Sequence, residues 1–285
     1  MARILLQTTI PYVEDDWHVG RFSLLAHELE AAGHTVTARN REPGSDGDDP
    51  ILSTLARDRF DQLWLLAVDC GNGPSERDLA GIAVFREAGG GVLTARDHQD
   101  LGECICELGS LGAVNYFHTR HPEADESRLI PDDRDNPDIG WPNYHSGANG
   151  DYQRIEPLEP AHEVLRLRAG GVITDFPAHP HEGAVGAPAS MPFARVIARG
   201  TSLHTGRTFP IAVALDGEPR DEGEGSKGRA LAESTFHHFA DVNWDASIAP
   251  PSFVTDKPGD GIAREPEKLE LFKEYVGNIA RWLSE

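Results

Sequence analysis

The chain has 285 residues, 39% of them apolar, enough for a substantial core in one large or two small domains. Lys plus Arg is 26 against 47 Asp plus Glu, a formal charge of −21 that repels phosphate backbones and anionic headgroups, so neither nucleic acid nor membrane is expected as a partner. No apolar run approaches the ~18 residues of a membrane span, Met1-Ala2-Arg3 leads straight into Ile4-Leu5-Leu6 without a leader pattern, and three cysteines are too few for a disulfide framework, so the cytoplasm is the expected compartment.

In chain order, Ile4 to Thr9 reads as a short buried strand ended by Pro11, followed by the polar loop Tyr12 to Trp17. Phe22, Leu24, Leu25, Leu29 and Ala32 recur at helical spacing, with Gly33 as a stop. His34 to Asn40 alternates like a second strand, Pro43 to Pro50 is a Gly/Asp-rich exposed loop, and Ile51 to Arg57 is a short helix. Gln62 to Val68 is continuously apolar, as in a strand covered on both faces. Ser75, after a turn at Gly71, Gly73 and Pro74, N-caps a helix to Glu87. Gly91 to Ala95 is a fourth strand and His98 to Leu108 a fourth helix.

Strand and helix alternate four times, which predicts an α/β fold with a mostly parallel, doubly wound sheet and ligands at the carboxyl edge of the strands. Residues 115–190 break the rhythm with Pro, Gly, His and Asp, and are read as a loop-rich insertion over that edge, with Val172 to Asp175 strand-like. Arg195 to Arg199, Ile211 to Leu215 and Ala230 to Ser234 resume as strands, Glu218 to Lys227 is expected as a mobile hairpin tip, and Glu265 to Leu283 as a final amphipathic helix. No linker splits the chain, so a single domain spanning 1–285 is expected.

Four post-strand loops carry ionisable groups. In the first, Asp16 and Trp17 precede His18, whose place at a helix start favours the neutral ring. The second holds Cys70, Gly71 and Asn72, either a nucleophile or soft ligand with close backbone approach, or a tight turn with a small thiol. The third holds Arg96, Asp97, His98 and Asp100, where an Asp could orient His98 for proton transfer or metal binding, or N-cap the fourth helix. In the fourth, His237 and His238 point to opposite sides, so His237 is assigned to the cleft, with Asp241 near enough to orient either ring. Within the insertion, His179 and His181 share a face at metal-ligand spacing, while Trp141, Tyr144 and His145 suit stacking and hydrogen bonding to a sugar or packing of the insertion.

The segments Ile4-Leu5-Leu6, Asp16 to Phe22, Asp97-His98-Gln99-Asp100-Leu101-Gly102, Gly228-Arg229-Ala230 and Ser234 to His238 together resemble the trehalose-utilisation (ThuA-like) group of the class I glutamine amidotransferase-like superfamily, over about residues 1–112 and 195–245. The resemblance implies a flavodoxin-like sheet and a small carbohydrate-derived substrate. Amidotransferases of that superfamily carry a Cys at the elbow and a His-x-Glu pair. Here Arg96, Asp97 and His98 occupy the elbow and Phe239 stands where the Glu would be, so glutamine hydrolysis is not expected.

The leading expectation is an enzyme, hydrolase or lyase, acting on a small sugar-like metabolite, with His18, Cys70, Asp97, His98 and His237 converging at the edge. A divalent metal, zinc first, would be held among His98, His237, His179 and His181, and no nucleotide cofactor is expected. The alternatives are a non-catalytic ligand-binding or regulatory protein on the same fold, and a metal-free hydrolase built on Cys70. Homo-oligomer formation is left open.

Overall fold

The computed structural model describes residues 1–123, 125–128, 132, 136, 139–140 and 143–285. The first half contains β1 (Arg3–Thr8), α1 (Ser23–Ala31), β2 (Thr35–Arg39), β3 (Gln62–Leu66), α2 (Glu76–Glu87), β4 (Gly91–Ala95) and a short α3 (Gly109–Ala113). Short strands follow: β5 (Asn115–Tyr116), β6 (Tyr152–Arg154), β7 (Glu156–Pro157), β8 (Asp175–Pro177) and β9 (Ala184–Val185). The chain then returns to the sheet with β10 (Ala194–Thr201), β11 (Thr208–Leu215) and β12 (Ala230–Glu233), and ends in α4 (Gly261–Arg264) and α5 (Pro266–Trp282).

Eight strands form one sheet in the order β2-β1-β3-β4-β12-β11-β10-β7. The first five pair in parallel, and β11, β10 and β7 add an antiparallel wing. The parallel part has the 2-1-3-4-5 order of the flavodoxin-like doubly wound fold. β3 and β4 are buried at every position, because both faces of the sheet are covered. The period of two divides their side chains between two cores. Ile4, Leu6, Trp64, Leu66 and Leu93 pack under α1 and under Phe272, Val276 and Ile279 of α5. Leu5, Leu63, Leu65 and Val92 pack on the opposite face against Leu79, Ile82 and Phe85 of α2.

The expected cap of α2 forms as a reciprocal capping box: Asp78 N–H donates to Ser75 Oγ (3.1 Å) and Ser75 N–H to Asp78 Oδ2 (3.0 Å). Asp78 also accepts from Arg41 (2.9 Å), and Asp49 from Arg39 (2.8 Å), so both ends of the Gly/Asp-rich loop are tied down while residues 43–47 stay exposed.

Several expectations are corrected. Ile51 to Arg57 is one 3-10 turn, Leu52–Thr54. The fourth helix is replaced by a 3-10 turn, Glu103–Glu107, and α3, because Gly102 (φ +85°) and Gly109 (φ +56°) break the run. No aspartate caps it: Asp97 turns toward His98 and Thr235, and Asp100 Oδ1 accepts from Thr119 N–H (2.9 Å). The hairpin between β11 and β12 is pinned at its base, where buried Glu218 pairs with Arg86 (2.7 Å) and Lys227 (3.2 Å). Within 115–190, β7 extends the main sheet, β9 pairs with β5, and β8, rather than Val172 to Asp175, pairs with β6.

Candidate functional site

The site grows from the carboxyl ends of β4 and β12. Arg96, the first residue past β4, is fully buried, its guanidinium 4.0 Å over the Phe117 ring and donating to the carbonyls of Gln99 and Ala184. Burial pushes this guanidinium down to about 9. Arg96 thereby clamps a sharp loop in which Gln99 takes a left-handed φ of 48°. That loop turns the Asp97 carboxylate inward. Its Oδ2 lies 3.0 Å from His98 Nδ1, and its Oδ1 accepts from Thr235 Oγ1 at 2.8 Å.

Two further imidazoles meet the same carboxylate: His179 Nε2 is 3.5 Å from Oδ1 and His237 Nε2 is 3.6 Å from Oδ2. Burial pushes the Asp97 carboxyl up, but His179, His98 and His237 outweigh it and hold it well below the usual carboxylate range. Burial in turn pushes His179 and His237 down, and the two rings stack with centroids 3.4 Å apart. Burial thus favours the neutral form of each ring.

The tautomer of His179 follows from its neighbours. Gly150 N–H donates to Asn243 Oδ1 (2.7 Å), which directs Asn243 Nδ2 to His237 O (2.8 Å) and to Asn149 Oδ1 (3.2 Å). Asn149 Oδ1 thus accepts the Nδ1 proton of His179 at 2.9 Å. The Nε2 lone pair of His179 is left facing a carboxylate oxygen, with no hydrogen-bond partner among the described residues. A lone pair and a carboxylate in a buried space attract a cation between them. Asp97, His98 and His179 offer ligand atoms all within 4.8 Å of one another. The 3.5 and 3.6 Å separations lie near the ~3.3 Å between nitrogen and oxygen ligands of one zinc-sized ion.

The mouth lies at His98, whose side chain is 19% exposed, whereas those of Asp97, His179 and His237 are at most 3% exposed. The His181 ring lies 5.2 Å from His98, with Nδ1 3.3 Å from Asn143 Oδ1 and Nε2 3.5 Å from Asp256 Oδ2. Trp17 abuts His237 edge-on (4.5 Å) and forms a buried wall, with Asp16 fixing its backbone N–H at 2.7 Å.

Asp97, His98, His179, His181 and His237 therefore come together. Other candidates make their contacts elsewhere. His18 caps the turn Val19–Phe22 by accepting from Gly20 N–H (3.1 Å) and packs on Tyr12. Burial and Arg21 push its ring down. Cys70 is exposed, its N–H bonded to Asn72 Oδ1 (3.3 Å), and Gly71 (φ +88°) closes a turn around Asp69, which accepts from Gly71 N–H and Cys104 Sγ. Tyr144 is buried face to face on Phe209 (4.5 Å), and His145 stacks on His204 (4.2 Å). Trp141 lies outside the described residues. Asp241 orients neither histidine; it accepts from the backbone of Ser23 and Leu24 and so caps α1. Asn149, Asn143, Asn243, Thr235 and Asp256 were not foreseen, since a single amide or hydroxyl in a loop leaves no period or spacing to read.

His238 takes the opposite side, as expected, between Glu233 (3.2 Å) and Glu182 (3.5 Å). A cleft of about 920 Å³ lies away from the imidazoles, along β6, β8 and the start of α5, lined by Tyr152, Gln153, Asp175, Glu265 and Lys268 among others.

No family model and no curated protein matches the sequence. Among solved structures the chain is similar to a ThuA-like protein from Parabacteroides merdae, at 13% identity and a TM-score of 0.49 over 99% of this chain and 90% of that one. It is also similar to the glutaminase domain of a CTPS from Trypanosoma brucei, at 13% identity and a TM-score of 0.46 over 99% and 97%. A cytoplasmic protein of Salmonella typhimurium matches at 12% identity and a TM-score of 0.41 over 87% and 99%.

Proposed function

We propose that this chain is a ThuA-like enzyme of the cytoplasm that hydrolyses, or eliminates from, a small neutral sugar-like metabolite, with a divalent metal of the zinc type at Asp97. One observation carries this reading: the buried ring nitrogens of His179 and His237 face the Asp97 carboxylate at 3.5 and 3.6 Å, and His179 Nε2 has no hydrogen-bond partner among the described residues. Imidazole and carboxylate donors suit such an ion, and Asp97, His98 and His179, with His237 beside them, would hold it. When bound, the metal supplies Lewis-acid polarisation and a lowered pKa for water. The sugar-like substrate rests on the sequence resemblance at Asp97-His98 and Ser234 to His237. The formal charge of −21 favours an uncharged substrate over a phosphorylated one.

The chain's own groups have distinct tasks in this proposal. Asn149 sets the tautomer of His179, Thr235 holds Asp97, and Trp17 excludes water behind His237. His181 and Asp256 line the mouth, where a substrate hydroxyl can bind. The 3.0 Å contact of His98 Nδ1 with Asp97 also favours a second reading, in which His98 Nε2 takes a proton from water or substrate without metal.

Elemental analysis of untagged protein separates the two. About one equivalent of divalent metal, lost in Asp97→Asn and His179→Ala, is the expected result. A metal-free protein whose melting temperature is indifferent to added zinc and to chelator would overturn the metal reading and leave the His98–Asp97 pair.

A further inference from the structure

Beside the imidazoles lies a pocket of about 230 Å³, smaller than the roughly 300–1,000 Å³ that holds a whole drug-sized ligand, and therefore the size of a substituent. Its walls are mostly apolar, with Val242, Ile248, Val254 and Pro258 among them. Its polar boundaries are Asn149, Ser247 and Asp256, and of these Asn149 and Asp256 face the imidazoles of His179 and His181. Asn149 is 2% exposed, and its Nδ2 has no partner among the described residues, although the Asn243 chain fixes the amide so that Nδ2 is the free end. A buried amide donor left unpaired is costly unless a ligand atom completes it. A mostly apolar hollow in which the Ser247 hydroxyl is already spent on Asp245 and the Asn149 amide donor is unspent matches a carbonyl group bearing a short hydrocarbon chain.

We propose that this pocket seats the acyl group of an ester substrate, with the carbonyl oxygen accepting a hydrogen bond from Asn149 Nδ2. The proposal rests on the hydrolytic reading above and sharpens it: the sugar-like metabolite is O-acylated, and the chain removes the acyl group. A water oxygen forms a bond to the carbonyl carbon and the carbon–oxygen bond to the sugar breaks. The water's proton passes through His98 to the departing alkoxide. The products are a short-chain carboxylic acid and a free hydroxyl, with no change in oxidation state. Asn149 stabilises the oxygen on which negative charge develops, as side-chain amides do in other acyl transfers.

Val254 borders the pocket on a partly exposed loop at the margin of the core, so Val254→Phe is expected to fill the hollow, and its urea midpoint is measured beside wild type to show that the fold is kept. The test uses full-length zinc-supplemented protein with p-nitrophenyl acetate and butyrate, and reads butyramide binding by thermal shift. Wild type should cleave butyrate better than acetate and be stabilised by butyramide. Val254→Phe should reverse the chain-length preference by at least tenfold, the scale on which a hydrophobic pocket discriminates methylenes, and lose the butyramide shift. Asn149→Ala should lower kcat/KM on both esters about 10²–10³-fold. If the protein holds its metal but neither cleaves the esters nor responds to butyramide, or if Val254→Phe leaves both responses unchanged, the acyl pocket is overturned and the metal reading stands. Absence of metal would strike the metal reading, and butyramide binding by the metal-free protein would still uphold the pocket.

Discussion

His237 and His238 are neighbours in sequence, both buried, and the turn Phe236–Phe239 sends them into two different polar clusters. Around His238 there are two carboxylates to one imidazole. Glu233 Oε2 and Glu182 Oε2 flank the ring, Ser234 Oγ donates to Glu182 at 2.8 Å, Ser146 and Gln153 donate to its other oxygen, and Tyr275 OH donates to Glu233. Burial pulls His238 down, but the Glu182 and Glu233 carboxylates outweigh it and raise the ring to about 9. Around Asp97 the ratio is inverted: one carboxylate, three imidazoles, two ring nitrogens (His179 Nε2 and His237 Nδ1) unpaired among the described residues, and a mouth at His98. Pairing of the ring nitrogens and carboxylate oxygens thus distinguishes the two. A buried cluster whose ring nitrogens and carboxylate oxygens are all matched holds the fold, and one with unspent nitrogens is available for a ligand.

If that contrast is real, breaking each cluster should produce opposite symptoms. Asp97→Asn keeps the shape and removes the charge. Turnover should fall about 10³-fold with loss of bound metal, while the urea midpoint moves little. Steady-state kinetics with elemental analysis checks it, and undiminished turnover would remove Asp97 from the reaction. Glu182→Ala should do the reverse. It strands a protonated His238 and orphans the donors of Ser146, Gln153 and Ser234, destabilising the fold by about 3–5 kcal/mol. Urea titration measures this, and Glu182→Gln should recover part of it. Wild-type stability in Glu182→Ala would mean that the closed cluster carries no structural load.

The parallel half of the sheet was legible because burial on both faces leaves continuous apolar runs, and β4 was read to the residue as Gly91–Ala95. The capping box at Ser75 was legible because capping is local. Asp97, His98 and His237 were found from their place after strands, which the winding rule brings to one edge. The sequence misled where a side chain had two local uses. An aspartate before a helix-like run looks like a cap, yet Asp97 spends its oxygens on Thr235 and imidazoles 82 and 140 residues away in sequence. Pro180 between His179 and His181 made that pair ambiguous, and only the distant Asn149 and Asn143 show how the rings are held.

A third imidazole outside both clusters offers a smaller, pH-dependent contrast. His162 accepts from Val164 N–H, packs edge-on against Trp282 (4.9 Å), and is pushed down to about 4 by burial, then by Arg195. The unfolded chain takes up this proton near the ordinary 6.5 and the folded chain only near 4. Stability is therefore unaffected above pH 6.5, falls as pH drops from 6.5 to 4, and loses nothing further below that. His162→Gln should flatten the unfolding free energy across this window, by more than any His18 substitution. An unchanged slope would show that His162 titrates alike in both states.

The smallest effect is expected at Cys70, and it bears on which loop does the chemistry. The thiol sits on the loop after β3, at the switch point of the sheet, where a nucleophile would be well placed by topology alone. Its surroundings oppose that use. Partial burial, then Asp69, Asp16, Asp100 and Glu103, all push the thiol up, whereas a nucleophilic cysteine needs cations or a helix N-terminus to draw it down. Cys70→Ser should leave kcat/KM within about twofold, as for surface changes of roughly 0.5 kcal/mol. Iodoacetamide should modify Cys70 slowly at pH 7 and leave turnover intact. A tenfold loss on either treatment would move the reaction from Asp97 to the β3 loop, because Cys70 is exposed and its backbone N–H bonds to Asn72 rather than to the imidazole cluster.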